Sequence, residues 1–354
     1  MPGGVVRVLS SQNRSLGFAF YSNRSEITLR IIHRGDTLPD NFLHDRISAA
    51  LRWRETVATG AEACRLVHGE GDGLPSLIVD RYGEHLVVQT LSQGTDRLKG
   101  EVITALQDLL HPAGILERND PRVRQLEGLD RKVGVLAGHI PETVEVTLNG
   151  VRFEADLWKG QKTGLFLDQR ENHAMARAYA KGRVLDGFTY SGGFALHVAP
   201  QASEVIAVDV SGEAVERVRR NAERNGATNV VAREANVFDL LHEMHDRGER
   251  FDTVILDPPA FAKSKDAVEK AWRGYKEINL RALQMLTQGG CLVTCSCSYH
   301  VDEAAFEEVV WSAAVDAGAT VTVVEKRRQA RDHPIVLGVP ETYYLKCLVL
   351  RKLA

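Results

Sequence analysis

From residue 184 to residue 257 the chain keeps one rhythm, a short β-branched run followed by an amphipathic stretch, and that rhythm limits the fold more than anything else in it. The runs VLDGF (184–188), VIAVDV (205–210), VVARE (230–234) and TVILD (253–257) read as strands. Between them lie helical patterns from Gly193, over Ala214–Asn225 and near 237–247. Strands separated by helices must pair in parallel through right-handed crossovers, so an α/β doubly wound sheet is predicted. A helical region at about 266–287, the strand CLVTCS (291–296) and a helix over Asp302–Ala317 extend it. TVTVVEKR and TYYLKCLVLRK then follow one another with no helix between them, which requires an antiparallel strand in an otherwise mostly parallel seven-stranded sheet.

The first half reads differently. VVRVL, FAFY and EITLRII are short strands within residues 4–32, and a turn at Arg34–Gly35–Asp36 marks a boundary. Phe42, Ile47, Leu51 and Trp53 suggest an amphipathic helix over Asn41–Ala58. Two apolar runs joined at Asp80–Gly83 form a hairpin, followed by a helix at about Asp96–Leu110, the strand GILERN and a hairpin-like run ending in VEVTLNGVRFEADL. This order implies a small α+β domain. The expected division is 1–34, 35–155 and 156–354.

No apolar run approaches the roughly 18 residues of a membrane helix, and MPGGVVRVLSSQNR lacks the apolar core of a signal peptide, so a cytoplasmic protein is expected. The net charge of −3 neither announces nor excludes a nucleic-acid partner, because a local basic face is what phosphates need. The oligomeric state stays open between monomer and homodimer.

Ligands of open α/β sheets sit beyond the carboxyl ends of the strands. At the first such end, LDGFTYSGGFAL (185–196) carries Gly187, Gly192 and Gly193, where backbone can approach a ligand, together with Asp186, Phe188 and Tyr190. Asp209 closes VIAVDV, the place for a carboxylate that grips two ribose hydroxyls. This pairing is common to dinucleotide and S-adenosylmethionine sites. The loop lacks G-x-G-x-x-G, the pattern that seats a pyrophosphate. Both features also have plainer readings, the glycines as packing positions and Asp209 as a helix cap. Asn236 could accept from an adenine amine or serve as a turn residue.

VILDPPAF (254–261) is the most specific stretch: two prolines end a strand and stiffen the loop that follows. A rigid loop of Asp257, Pro258, Pro259 and Phe261 suits a flat heterocycle, carboxylate to its edge and ring to its face.

KTGLFLDQRENH, DGFTYSGGFAL, DPPAFAKSK, WRGYKEINL and CSCSYH, in that order and with GEGDGLPSLIVDRYG upstream, resemble the family of 23S rRNA large-subunit methyltransferase I. The resemblance implies a class I methyltransferase domain of Rossmann type, preceded by a small α+β domain and a PUA domain. It begins partway into the last of these, at about GGVVRVL, so residues 1–34 correspond to a shortened PUA-like region. It further implies S-adenosylmethionine as cofactor, a cytosine carbon 5 of ribosomal RNA as target, and Cys297 as nucleophile. Phe166, Asp168 and Arg170 of KTGLFLDQR are implied to fold over the donor and the target base, the plainer reading being a turn with a solvent salt bridge.

Cys64, Cys291, Cys295, Cys297 and Cys347 are odd in number and mostly sit in apolar runs, which disfavours a disulfide framework. Zinc would need two ligands beyond the pair and only His300 is near, so no metal is expected. Cys291, Cys295 and Cys347 read as core residues, and Cys297 lies nearest the carboxyl end of its strand. Arg273 and Lys276 of WRGYKEIN suit RNA phosphates or a solvated helix face equally, as does the basic run Lys326–His333. A target base must leave its stack to react, so single-stranded or loop RNA is the expected substrate. Two rival readings remain: amino-group methylation of a base through Asp257-Pro-Pro, with Cys297 idle, and a catalytically silent RNA-binding assembly factor.

Overall fold

The structure is a computed structural model that describes residues 1–262 and 267–353, so the Lys263, Ser264 and Lys265 of DPPAFAKSK, and the Asp266 with which the expected helical region opens, lie outside the described residues. The chain divides into two compact units. The first comprises Met1–Leu148, Glu154–Leu167 and Arg331–Gly338, and the second the remainder, Asn149–Phe153, Asp168–Ala330 and Val339–Ala354.

In the first unit β1 (Val5–Leu9), β2 (Ser15–Tyr21) and β3 (Leu29–His33) form an antiparallel three-stranded sheet. Helix α1 (Phe42–Val57) buries Leu43, Ile47, Ala50 and Val57, whereas Trp53 remains 49% exposed. Phe42, Ile47 and Leu51 thus pack on the core as expected, and Trp53 alone does not. Arg54 sits on the buried side instead, where both carboxylate oxygens of Asp72 accept its guanidinium protons at 2.5 and 2.7 Å. Strands β4 (Ala63–His68), β5 (Leu77–Tyr82) and β6 (His85–Thr90), helices α2 (Gln93–Arg97) and α3 (Lys99–Leu110), strand β7 (Gly114–Asn119), helix α4 (Val123–Leu126) and strand β8 (Lys132–Gly138) follow. They build a five-stranded sheet in the order β4-β5-β6-β7-β8, antiparallel except for the β6–β7 pair that α2 and α3 connect. The single helix expected over 96–110 is thus two, broken at Leu98. Leu66, Val79, Val88 and Ile115 of the sheet pack against Ile47 of α1 and Leu106 of α3. Strands β9 (Val144–Leu148) and β10 (Val151–Ala155) lie where the chain passes between units.

The second unit carries α5 (Arg170–Ala176), β11 (Gly182–Gly187), α6 (Gly193–Val198), β12 (Ala202–Asp209), α7 (Gly212–Arg224), β13 (Val230–Glu234), α8 (Val237–Asp246) and β14 (Phe251–Leu256). It continues with α9 (Val268–Met285), β15 (Leu286–Ser296), α10 (Glu303–Asp316), β16 (Val321–Arg328) and β17 (Lys346–Lys352). The seven strands are ordered β13-β12-β11-β14-β15-β17-β16. Only β17 runs opposite to the other six strands. This is the expected α/β sheet of Rossmann type, closed by one antiparallel strand.

Alternation along each strand feeds two cores, as a sheet covered on both faces demands. Val254, Leu256 and Leu292 join Leu240, Tyr275, Ile278 and Phe306 on one face. Ile255, Val293 and Cys295 join Phe194, Val198 and Val218 on the other. The strand order reverses between β11 and β14, which opens a crevice at their carboxyl ends.

Candidate active site

The ends of β11, β12, β14 and β15 bring their residues together at this crevice. The turn after β11 is unusual in that Phe188 and Tyr190 both hold left-handed backbone, with φ of 66° and 51°. Such positions cost roughly 1 kcal/mol or more each for residues with a side chain. The turn aims the Tyr190 N–H at Asp209, whose Oδ2 accepts it at 2.9 Å while Oδ1 accepts from Ser211 N at 3.0 Å. Each oxygen keeps lone-pair capacity, and the carboxylate is half-buried at the end of β12. Asp186 is fully buried: its Oδ2 accepts from Thr189 Oγ1 at 2.6 Å and Ala195 N at 2.9 Å, while its Oδ1 has no hydrogen-bond partner among the described residues. Burial, and to a lesser extent the charges of Asp257 and Asp209, push its carboxyl up to about 7 against the pull of those two bonds. Buried polar atoms are seldom left orphaned, so Asp186 Oδ1 and the Asp209 carboxylate together fit a ligand bearing an amine and vicinal hydroxyls.

Gly192 takes the left-handed conformation at φ 85°. A Cβ on Gly193 would lie 2.4 Å from the His173 ring, so that glycine is required by packing against α5. Asn236 is exposed and caps α8, its side chain accepting from Phe238 N at 2.9 Å.

At the other end of the crevice, Asp257 Oδ1 accepts from Gln169 Nε2 at 2.8 Å. Gln169 Oε1 in turn accepts from Asn172 Nδ2 at 2.7 Å, and Asn172 Oδ1 accepts from Arg327 Nε at 2.9 Å. Gln169 stands between Asp168 and Arg170, two of the three residues of KTGLFLDQR singled out from sequence, and no local signal marks a buried amide. Asp168 is buried, with Oδ2 accepting from Tyr344 Oη at 2.8 Å, and Arg170 is buried beside Glu171 at 3.9 Å. Neither is an exposed salt bridge. Phe166 belongs to the first unit, where the Lys162 ammonium lies 4.6 Å from its ring centroid.

Strand β15 delivers the CSCS run. Cys295 faces Cys347 across the β15–β17 ladder, is fully buried, and has its thiol pushed well up by burial. Burial likewise pushes Cys291 up to about 12. Cys297, one residue past the strand, is the partly exposed cysteine, its Sγ 3.8 Å from Pro258 O. Pro258 is buried and Pro259 exposed. The serines of the run are locked by α9: Ser296 Oγ donates to Tyr275 Oη at 3.0 Å, Tyr275 Oη and Ser298 Oγ lie 2.9 Å apart, and Ser298 Oγ accepts from Ala262 N at 3.1 Å. Phe261 packs against Tyr275 with centroids 4.6 Å apart and ring planes tilted by 41°, and Gly274 leaves room for it, since a Cβ there would meet Phe261 at 3.2 Å. Phe188 and Phe238 complete a ring cluster around Phe261 at 6.4 and 5.7 Å.

WRGYKEIN thus contributes Tyr275 and Gly274 to the site, a role its cations concealed. Arg273 is 76% exposed and paired with Glu269, and Lys276 is paired with Asp316 at 2.7 Å. Within the basic run, Lys326 pairs with Glu307 at 2.5 Å and His333 with Asp332 at 2.9 Å. Among the described residues no His, Cys, Asp and Glu cluster could hold a metal ion, and no helix is long and apolar enough to cross a membrane.

Residues 82–351 match the model of the S-adenosylmethionine-dependent methyltransferase family, and residues 1–34 that of a PUA-like domain. Among curated relatives, the ribosomal RNA large subunit methyltransferase I of Tolumonas auensis is 41% identical over 359 residues, covering 99% of this chain and 90% of its own. Its namesake in Vibrio cholerae is 41% identical over 361 residues, covering 98% and 91%. Two solved structures share the fold at 20% identity, each covering 99% of this chain and 92% of its own: a candidate methyltransferase in complex with SAH, with a TM-score of 0.86, and a candidate SAM-dependent methyltransferase from Streptococcus mutans, with a TM-score of 0.84.

Proposed function

The chain belongs to the ribosomal RNA large subunit methyltransferase I family of S-adenosylmethionine-dependent enzymes, and on that premise we propose that it methylates carbon 5 of a cytosine in 23S rRNA through a covalent adduct on Cys297. One observation carries the reading. Of five cysteines, four are buried, and the fifth presents its sulfur to the Asp-Pro-Pro loop at 3.8 Å.

Asp186, Phe188, Tyr190, Gly192, Gly193 and Asp209 would hold the donor, with Asn236 beside the adenine edge and Asp168 and Arg170 framing the approach. When bound, S-adenosylmethionine supplies an electrophilic methyl group. Carbon 5 of cytosine is a poor nucleophile, so the Cys297 thiolate first adds to carbon 6, and the displaced π electrons make carbon 5 electron-rich. Asp257, oriented by Gln169 and carrying a proton, donates it in a hydrogen bond to the ring nitrogen where that charge gathers and takes it back when the carbon 6–sulfur bond breaks. Once carbon 5 is methylated it loses its proton to a base, the carbon 6–sulfur bond breaks, and the thiolate is regenerated. Phe261 and the two prolines form a stiff wall for the base, which must leave its stack to enter. Single-stranded or loop RNA meets that requirement at least cost.

Mass spectrometry of rRNA nucleosides from cells lacking the protein tests the substrate: 5-methylcytidine at one large-subunit position is expected to disappear. Cys297→Ala tests the route, and is expected to abolish transfer while leaving donor binding intact. Retained transfer would favour the amino-group reading, and an unchanged nucleoside profile in the deletion would favour the silent assembly factor.

A further inference from the structure

Lys346, on β17 directly across from Ser296, is a lysine with only 2% of its surface exposed. Its Nζ donates to Ser298 O at 2.7 Å and to Tyr344 O at 2.9 Å, which carries the ammonium across the backbone turn that bears Cys297. Two of its three protons are thereby used, and the third has no acceptor among the described residues. A buried ammonium is costly unless an anion faces it.

The groups that surround it are few. Cys297 is its largest charged neighbour, followed by Asp302 and Glu303 at the start of α10, while Tyr275 approaches Cys297 from α9. Both acids are engaged elsewhere: Asp302 Oδ1 accepts from Ala305 N at 2.8 Å to cap α10, and Glu303 Oε2 accepts from Tyr343 Oη at 2.7 Å. Burial lowers the ammonium to about 8 against the opposing pull of Cys297, so an anion at that sulfur is what favours the charged lysine.

We propose that Lys346 is the positioning residue that holds Cys297 as a thiolate, its buried ammonium serving as the sulfur's counter-charge. The inference rests on the assignment of Cys297 as nucleophile. It supplies what that assignment lacks, because a free cysteine is only a few per cent ionised near neutrality. A purely structural lysine, tying two carbonyls together, would leave the sulfur's ionisation untouched.

The test is the pH profile of Cys297 alkylation by iodoacetamide, followed by mass spectrometry of the Cys297 peptide in the full chain, the other four cysteines being buried. The wild-type midpoint is expected at least one unit below the ordinary thiol value of about 8.5. Lys346→Met is expected to slow alkylation at pH 7 about tenfold or more and to move the midpoint up, and Lys346→Arg to restore much of the shift. Superimposed profiles for wild type and Lys346→Met overturn the proposal. Should Lys346→Met fail to bind S-adenosylmethionine by calorimetry, as a misfolded chain would, the wild-type profile decides alone: a midpoint at or above 8.5 overturns the proposal. Methyl transfer that survives Cys297→Ala removes the nucleophile assignment instead, which the alkylation profile does not report.

Discussion

Removing one oxygen atom from Tyr275 is the sharpest probe of how the site is held. The ring of Tyr275→Phe still packs against Phe261 at 4.6 Å and Phe306 at 5.5 Å, so the hydrophobic contribution is kept. What is lost is the bridge between Ser296 and Ser298, two hydrogen bonds of 3.0 and 2.9 Å within a region where both serines and the tyrosine are fully buried. Each such bond contributes about 0.5–1.5 kcal/mol, and the Ser296 hydroxyl left without its acceptor adds a desolvation penalty, giving about 2–3 kcal/mol in all. In a unit of this size that corresponds to a fall in Tm of about 5–10 °C. The bridged serines flank Cys297, so the sulfur also loses its fixed position, and for the nucleophile proposed above a displacement near 1 Å costs on the order of 100-fold in rate. Thermal denaturation and single-turnover methyl transfer at 25 °C, where the variant stays folded, separate the two effects. A variant with wild-type Tm and wild-type turnover refutes the claim that this bridge holds the nucleophile. A loss of Tm with unchanged turnover refutes only the second half of it.

Further outcomes follow from the same geometry. Asp209→Asn is expected to weaken S-adenosylmethionine binding at least tenfold by calorimetry, since the amide cannot accept from two hydroxyls while keeping its bonds to Tyr190 N and Ser211 N. Gly193→Ala is expected to destabilise the protein through the clash with His173, and His173→Ala in the same chain to recover most of the loss, measured as Tm. Gln169→Leu is expected to lower kcat for methyl transfer about tenfold or more with little change in donor affinity, because Asp257 loses its 2.8 Å donor; an unaltered kcat would show that Asp257 needs no orientation. The raised carboxyl of Asp186 favours folding below its unfolded pKa near 4, and that contribution is lost as pH rises through about 7. Chemical denaturation of the free protein should therefore show up to ~1.4 kcal/mol per pH unit less stability across pH 5–7 than the same series for Asp186→Asn.

The alternating half of the chain was legible because its inner strands β11, β12 and β14 are largely buried and carry β-branched runs separated by helical patterns. VVARE coincides with β13, and Asp209 and Asp257 mark strand ends within one residue of those observed. Strand β4 went unread because ACRLVH carries an arginine and a histidine, and the partner that makes the arginine tolerable, Asp80 at 2.8 Å, lies fifteen residues away on β5. Strand β15 begins five residues before CLVTCS because LTQGG gives no β signal of its own. At the crevice the same distinction holds. Residues that terminate strands could be placed from local pattern, whereas Gln169, Tyr275 and Lys346 are polar groups whose burial depends on partners 21 to 88 residues distant.

Strand β17 lies between β15 and β16 although it is translated after both. Fifty residues separate Ser296 from Lys346, so at about 5–20 residues per second a nascent chain spends roughly 3–10 s with the strand of the CSCS run made and its inner neighbour still inside the ribosome. For that interval β15 is an unpaired edge exposed to other strands, which makes this stage of synthesis the one most open to aggregation. The sheet beneath the crevice closes only when residues 346–352 arrive to pair with both β15 and β16.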